Sequence, residues 1–179
     1  KSGNMVIGVD IDKAVLSNPT NDENHIINDS WIDKNLDSFD LITADFVLEH
    51  IEDDEKFFFD VNRLLKKNGY FCARTPHKNS YVALGSRIIP KWMHGYTLAK
   101  AQPDRKSLDV FKAYYKINTL CDANRLFKGY KDFSYMFTPE PAYFSKNKLI
   151  RPCLDFIHEY LPKKFSSQLF IIKQKINGI

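Results

Sequence analysis

Residues 39–76, FDLITADFVLEHIEDDEKFFFDVNRLLKKNGYFCARTP, decide the fold predicted for this chain. The run FDLIT, residues 39–43, is mostly apolar with Asp40 near its start, which predicts a strand. The run YFCART, residues 70–75, predicts another strand, which Pro76 ends. A helical pattern separates the two runs. Strand, helix and strand in this order indicate parallel neighbours joined by a helical crossover.

The helix between these strands has the clearest pattern in the chain. Its apolar residues recur at the spacing of one helical face: Phe57, Val61, Leu64 and Leu65. Two aspartates, at positions 53 and 54, offer a cap and favourable charge at its start, and two lysines, at 66 and 67, suit its end. Gly69 is expected to stop the helix.

Two further strands are predicted before this block. VIGVDID, residues 6–12, has the continuous apolar character of a strand buried on both faces, followed by Asp10 and Asp12. A polar stretch with Asn18-Pro19 as a breaker leaves room for one short helical turn. HIIND, residues 25–29, is then a short strand, and residues 30–38 are expected to form a loop.

Residues 77–118 interrupt this rhythm with a long segment rich in aromatic and basic side chains. A connection of this length more often forms a lid or a substrate element than a simple turn. After it, NTLCDANRLFKGY predicts a helix capped by Asn118 or Thr119. The remaining elements are a strand in DFSYMF, a helix around RPCLDFIHEYL and a closing strand in SQLFIIKQK.

The composition is that of one ordinary globular domain spanning residues 1–179. The chain is 44% hydrophobic and 27% charged, and its net charge of +4 is spread out, so it gives no reason to expect nucleic-acid binding. No apolar run approaches the roughly 18 residues of a membrane span. The three cysteines lack metal-ligand spacing and are expected to be buried thiols in a reducing compartment. The expected location is therefore the cytoplasm.

The carboxyl ends of the predicted strands carry polar side chains: Asp10, Asp29, Asp45 and His77. Ligands of open α/β sheets bind beyond these ends. A carboxylate there offers two acceptor oxygens, which suit the paired hydroxyls of a ribose. Two other interpretations stay open at this point. Asp10 and Asp12 could simply cap the following turn, and nicotinamide-binding domains share an acidic strand end.

The combination of VIGVDID, IIND and residues 39–81 resembles the class I S-adenosylmethionine-dependent methyltransferases. The closest likeness is to the branch with LEH, an R-L-L-K-x-G-G run and TPN, of which this chain has LEH, RLLKKNG and TPH. The resemblance implies an α/β, Rossmann-like, mostly parallel sheet with an antiparallel edge strand, which SQLFIIKQK would supply. Residues 77–118 would be a helical lid inserted into that domain.

The resemblance also implies a cofactor site for S-adenosylmethionine. Asp10, with Ile11 beside it, would hold the ribose hydroxyls, and Asp29 would accept from the adenine amino group. The other implied residues are Ser30 and Trp31 beside the base, Ala44, Asp45 and Phe46 at the methionine end, and His50 near the same cavity. A structural role at the start of a helix is the alternative for His50.

A methyl acceptor needs to be aligned with the reactive methyl group, and a base helps if the acceptor must lose a proton. His77 and His94 are the candidate bases, and His77 is better placed because it follows a strand end. The family usually has Asn at the position of His77, and a surface histidine without a catalytic role is the alternative for both. Four lid residues are candidates for binding the acceptor: Tyr81, His94, Tyr114 and Tyr115. Simple packing of the lid is the alternative for the tyrosines.

One departure from the family pattern stands out. The first strand and glycine-rich loop of the family should precede Val6, where only KSGNM is found. We therefore expect a chain truncated at its N-terminus, or a degenerate homologue, that binds the cofactor poorly as it stands. The leading functional hypothesis is a methyltransferase acting on a small-molecule acceptor. The alternatives are a non-catalytic methyltransferase-like subunit or fragment and, less favoured, a nicotinamide-binding domain.

Overall fold

Seven strands and four helices are present in the residues that the computed structural model describes, which are 4–81, 83, 112–139 and 151–176. The strands are β1 (Ile7–Asp10), β2 (Glu23–Ile26), β3 (Phe39–Asp45), β4 (Leu65–Pro76), β5 (Lys131–Asp132), β6 (Tyr135–Phe137) and β7 (Gln168–Gln174). The helices are α1 (Asp29–Lys34), α2 (Asp54–Leu64), α3 (Leu120–Leu126) and α4 (Arg151–Tyr160), with short 3₁₀ turns at Lys13–Ser17, Leu48–His50 and Lys163–Phe165.

The strands form a mostly parallel arrangement, as predicted. Strands β1 and β2 form a parallel two-stranded sheet. Strands β3 and β4 also pair in parallel, and they belong to a separate sheet of five strands. Strand β7 is antiparallel to β4, which confirms its predicted direction. Its other side pairs with the short β5 and β6, so within the described residues β7 lies inside the sheet rather than at its edge.

Contacts between helices α1 and α2 show how the β1–β2 pair is oriented relative to the sheet that contains β3 and β4. At their amino ends, Lys56 Nζ lies 3.0 Å from Asp29 Oδ1. At their carboxyl ends, Arg63 pairs with Asp33. The two helices therefore run side by side and parallel. Since β2 leads into α1 and β3 leads towards α2, the carboxyl ends of these strands lie on the same side of the molecule.

The hydrophobic core lies between helices α2 and α3 and one face of β4 and β7. Phe71 of β4 stacks on Phe127, just after α3, with ring centroids 5.0 Å apart. Phe58 of α2 meets the same ring edge-on at 5.1 Å. Leu169 and Ile171 of β7 complete the face and are fully buried. Burial of a side chain such as Phe71 stabilises the fold by about 1.5–3 kcal/mol.

Helix α2 begins as predicted but ends earlier. Asp53 Oδ1 accepts from Lys56 N at 2.9 Å, which confirms the expected cap. The prediction that the helix runs to Gly69 is wrong, because it ends at Leu64. Leu65 already pairs with Phe39 in the sheet. Lys175 Nζ caps the C-terminal end of the helix, since it donates a hydrogen bond to Leu65 O at 2.8 Å.

Gly69 has a different function from the predicted helix stop. It lies in β4 next to a register shift, where a Cβ atom would meet Lys66 O at 2.9 Å and Phe39 O at 3.1 Å. Both contacts are with backbone atoms, which cannot move aside easily. A glycine is therefore needed for the close approach of two chain segments.

Strand β1, predicted to be buried on both faces, is only half-buried at Ile7 and Gly8 and is exposed at Val9 and Asp10, so that prediction is wrong.

Three further local predictions need correction. Residues 30–38, expected to be a loop, include most of α1, whose start is capped by Asn28 Oδ1 accepting from Trp31 N at 2.9 Å. DFSYMF forms two short strands instead of one. Cys121 is exposed, not a buried thiol, whereas Cys72 is half-buried, and this burial raises the pKa of its thiol.

Two predictions at other helices are confirmed. Thr119 caps α3, with its hydroxyl oxygen accepting from Asp122 N at 3.0 Å. Lys13–Ser17 forms the single helical turn expected after β1. No helix in the described part of the chain combines the length and apolar composition needed to cross a membrane.

Candidate functional site

The carboxyl end of β1 presents a partly free carboxylate. Asp10 is the last residue of the strand and is exposed. Its Oδ1 accepts from Asp12 N at 2.9 Å, and its Oδ2 has no hydrogen-bond partner among the described residues. Asp12 instead caps the following 3₁₀ turn through Ala14 N at 2.9 Å. The two aspartates thus differ, and only Asp10 keeps an oxygen for a ligand; Ile11 between them is 83% exposed.

The segment after β2 contains the residues expected beside the adenine. The Asp29 carboxylate is paired with Lys56, which also contacts Asp60 at 2.9 Å, and these two contacts raise the pKa of Lys56, that with Asp60 most. Ser30 is exposed. The Trp31 ring lies 5.8 Å from that of Phe39, nearly parallel to it. Asp29 therefore carries a cation already, while Trp31 is an aromatic surface near a strand end.

The carboxyl end of β3 is tied to β4 by an ion pair. Arg74 donates to both oxygens of Asp45, at 2.6 and 2.7 Å, and this contact raises the pKa of Arg74. Phe46 follows with a positive φ of 54°, its ring 4.7 Å from the Arg74 guanidinium. Ala44 is partly buried against the core. Of these expected methionine-end residues, Asp45 is already engaged within the chain.

The LEH turn, Leu48–His50, anchors the second described part of the predicted lid. His50 Nδ1 lies 2.8 Å from Lys112 O, and since a carbonyl only accepts, Nδ1 carries the hydrogen. The backbone oxygen of Glu49 accepts from Tyr114 N at 2.7 Å and from Tyr115 N at 3.2 Å. His50 thus has the structural contact expected in its alternative interpretation, and a role beside the cofactor stays a prediction.

A buried polar chain joins this turn to β4. The Thr75 hydroxyl donates to Glu49 Oε2 at 2.9 Å, and Asn118 Nδ2 donates to Thr75 Oγ1 at 2.6 Å and to Pro76 O at 2.9 Å. Glu49 is 6% exposed, and Thr75 and Asn118 are fully buried. Sequence analysis did not identify Glu49 or Thr75. The one available signal in the sequence was that Glu49 directly follows Leu48, an apolar residue that belongs to the core.

His77 continues the inward-facing row of β4, which changes from Phe71 and Ala73 to Thr75 and then His77. The ring is buried, and its Nδ1 lies 3.1 Å from Ser166 O. Nδ1 must therefore carry the hydrogen, which leaves the lone pair on Nε2. Burial lowers the pKa of His77, so the neutral ring is favoured. A neutral imidazole with a free Nε2 is chemically suited to accept a proton.

The four expected acceptor-binding residues are only partly described. Tyr114 and Tyr115 adjoin the LEH turn through their backbone, as given above. Tyr115 has a positive φ of 54° and is 41% exposed, and Lys112 Nζ lies 4.5 Å from the Tyr114 ring. Tyr81 is half-buried four residues after His77. His94 lies outside the described residues.

In the described part of the chain, no three His, Cys, Asp or Glu side chains are grouped so that they could hold a metal ion. Among the described residues, the groups at this edge that could bind a ligand or accept a proton include the Asp10 carboxylate, the Glu49–Thr75–Asn118 chain and the His77 imidazole.

The sequence of residues 1–73 matches the methyltransferase domain family. This match extends from before β1 to Ala73 of β4 and includes the Asp10, Asp29, Asp45 and LEH positions. None of the curated proteins compared with this chain matches it.

Solved structures share the fold over nearly the whole chain. An S-adenosylmethionine-dependent methyltransferase from Mesorhizobium loti aligns with a TM-score of 0.54 at 20% identity, over 96% of this chain and 80% of its own. A possible histamine N-methyltransferase from Thermotoga maritima aligns with a TM-score of 0.58 at 12% identity, over 95% and 72%. A methyltransferase from Methanosarcina mazei gives 0.55 at 17%, over 95% and 81%.

Likeness at these identities shows the fold and not the acceptor. The family match and the shared fold together confirm the resemblance drawn from VIGVDID, LEH and RLLKKNG. Residues 1–73 match the methyltransferase domain family, and the chain shares the fold of solved S-adenosylmethionine-dependent methyltransferases.

Proposed function

We propose that the protein transfers a methyl group from S-adenosylmethionine to a small-molecule acceptor. One observation carries the proposal: on this methyltransferase fold, the parallel helices α1 and α2 bring the carboxyl ends of β2 and β3 to the same side of the molecule. Ligands of such sheets bind beyond these ends. Residues 1–179 would form one domain.

The cofactor would be held mainly by Asp10 and Trp31. The unpaired Oδ2 of Asp10 is a hydrogen-bond acceptor, and a ribose hydroxyl can donate to it. The Trp31 ring supplies apolar surface for the base. Asp29 and Asp45 fit less directly, since each must share a carboxylate that Lys56 or Arg74 already contacts. When bound, S-adenosylmethionine supplies an electrophilic methyl group on sulfur.

The chain's own residues would orient the acceptor and remove its proton. His77 is the proposed base, because its Nε2 keeps a lone pair while Nδ1 is held by Ser166 O. Residues 77–118 would act as a lid that carries acceptor-binding side chains, with Tyr81, His94, Tyr114 and Tyr115 as proposed contacts. A lid that closes over the site excludes water and completes the geometry for reaction.

The test is methyl transfer by the native gene product, that is, the full protein as its gene encodes it. The protein is incubated with S-adenosylmethionine carrying a labelled methyl group and with a low-molecular-mass metabolite extract. We expect label in a small molecule and formation of S-adenosylhomocysteine, both lost in Asp10→Ala. Cofactor binding without any transfer would contradict the enzymatic proposal, and label found only in protein or nucleic acid would contradict the small-molecule acceptor.

A further inference from the structure

The carboxylate of Glu49 is buried without a counter-charge. Its side chain belongs to a residue that is 6% exposed, and its one hydrogen-bond donor is the Thr75 hydroxyl, on Oε2. Among the described residues, no Lys, Arg or His lies within ion-pair distance of it. Buried carboxylates are normally paired, because burying a lone charge is costly. Glu49 thus lacks the partner that its burial calls for.

The neighbourhood of Glu49 has more acceptors than donors. Its second oxygen, Oε1, accepts no hydrogen bond among the described residues. Asn118 Oδ1 is fully enclosed and also has no donor. Both Nδ2 hydrogen bonds of Asn118 go to other acceptors, Thr75 Oγ1 and Pro76 O, so the amide cannot supply Glu49. Oε1 is not among the fully enclosed unpaired side-chain atoms of the described residues, so a part of its surface stays accessible.

Glu49 also lies where the acceptor is proposed to bind. It follows the carboxyl end of β3, and its partner Thr75 is at the carboxyl end of β4. Thr75 and His77 are two residues apart on an extended backbone, so their side chains project to the same face about 7 Å apart. The backbone of Tyr114 is bound to Glu49 O. The unpaired carboxylate, the proposed base and the lid are therefore neighbours.

We infer that Glu49 binds the cationic group of the methyl acceptor, so that the acceptor is an amine. This inference rests on the proposed function and adds the class of its substrate. An ammonium group is a donor without acceptors, and it would supply both the missing charge and a hydrogen bond to Oε1. A neutral alcohol would leave the buried charge of Glu49 uncompensated.

The transfer step balances with the residues already described. The bound ammonium loses one proton to Nε2 of His77, which frees the nitrogen lone pair. A nitrogen–carbon bond to the methyl group then forms as the sulfur–carbon bond breaks, and the electron pair of the broken bond stays on sulfur. The products are a thioether and a methylated ammonium, whose positive charge is again opposite Glu49. The proton leaves His77 for water.

The experiment compares two amines with their neutral isosteres. Phenethylamine and ethanolamine are titrated into the native gene product beside phenethyl alcohol and ethylene glycol, with and without S-adenosylhomocysteine. The variants are Glu49→Gln, which removes the charge but keeps an acceptor for Thr75, and Glu52→Gln, which removes an exposed charge three residues away. Binding of S-adenosylmethionine and thermal unfolding are measured for each variant.

We expect the wild type to bind at least one amine about 10- to 100-fold more tightly than its isostere, and Glu49→Gln to lose this preference while Glu52→Gln keeps it. Equal affinity for amine and alcohol in the wild type, or binding of neither, overturns the inference whether or not Glu49→Gln folds. An unchanged preference in folded Glu49→Gln also overturns it. Failure to bind S-adenosylmethionine contradicts the proposed function instead, since the amine preference is also measured without nucleotide.

Discussion

The Thr75 hydroxyl donates a 2.9 Å hydrogen bond to Glu49 Oε2, across the boundary between β4 and the LEH turn, and both residues are buried. We expect Thr75→Val to destabilise the fold by about 1–3 kcal/mol, because it leaves the carboxylate without its donor and Asn118 with one acceptor fewer. Chemical denaturation measures the effect. Thr43→Val, at an exposed position of neighbouring β3, is the control, and an equal loss in both variants would contradict this assignment.

A second buried charge, in strand β7, gives a test of sheet stability. Lys173 of β7 is 1% exposed, and its Nζ lies 2.9 Å from Asp132 Oδ1 of β5 and also contacts Asn124. We expect Asp132→Ala to reduce the free energy of unfolding by about 2 kcal/mol, less than for a fully buried pair since Asp132 is partly exposed. Lys173→Met, which removes the buried charge, should cost clearly less. The opposite order in denaturation experiments would contradict this account, in which the main cost comes from leaving the buried Lys173 ammonium unpaired.

The burial of His77 predicts a pH dependence of stability. The pKa of its imidazole is lowered below its ordinary value of 6.5, with burial as the largest cause. The unfolded chain then binds more protons than the folded one just below pH 6.5, so stability is complete above this pH and falls as the pH drops towards the folded pKa. Denaturation between pH 5 and 7.5 should show this loss in the wild type and a smaller one in His77→Gln.

The same substitution tests the proposed base. His77→Gln can still donate to Ser166 O but has no imidazole lone pair, so we expect kcat to fall by about 10²- to 10⁴-fold. The low-pH limb of the wild-type kcat profile should disappear with it, whereas the affinity for S-adenosylmethionine should change little. A wild-type kcat and an unchanged pH profile in His77→Gln would leave His77 with a structural role only.

The lid is tested through the tyrosines that adjoin the LEH turn. We expect Tyr114→Ala and Tyr115→Ala to impair methyl transfer more than cofactor affinity, since these side chains are proposed to contact the acceptor. Tyr115 has a positive φ of 54°, which costs energy for a bulky residue. Tyr115→Asn relieves this strain while removing the ring, so a loss of transfer in a more stable variant separates contact from strain. Equal losses of cofactor binding and transfer would contradict the lid proposal.

Several parts of the fold followed from local patterns. The strand character of residues 39–43 and 70–75, the spacing of Phe57, Val61 and Leu64, and the cap at Thr119 were all predictable, because each depends on residues close in sequence. The six-residue helix α1 was not. It is shorter than two turns and has one buried residue, Ile32, so it shows no periodicity.

The candidate site was less predictable because its geometry depends on register. Asp45 and Arg74 are 29 residues apart and meet only because they are direct partners in the β3–β4 ladder. Glu49 is buried because the turn after β3 packs against Thr75, and no spacing in the sequence encodes that contact. Strand ends thus predicted where a site should lie, but not which carboxylates keep a free oxygen there.

The central claim is that the protein binds S-adenosylmethionine through Asp10. Titration calorimetry on the native gene product tests it, with Asp10→Ala, with Asp10→Asn, which keeps the acceptor for Asp12 N, and with Asp12→Asn as the control. We predict that the wild type and Asp12→Asn bind one equivalent, and that both Asp10 variants bind about 10- to 100-fold more weakly. No binding by the wild type, or unchanged affinity in both Asp10 variants, would contradict the account.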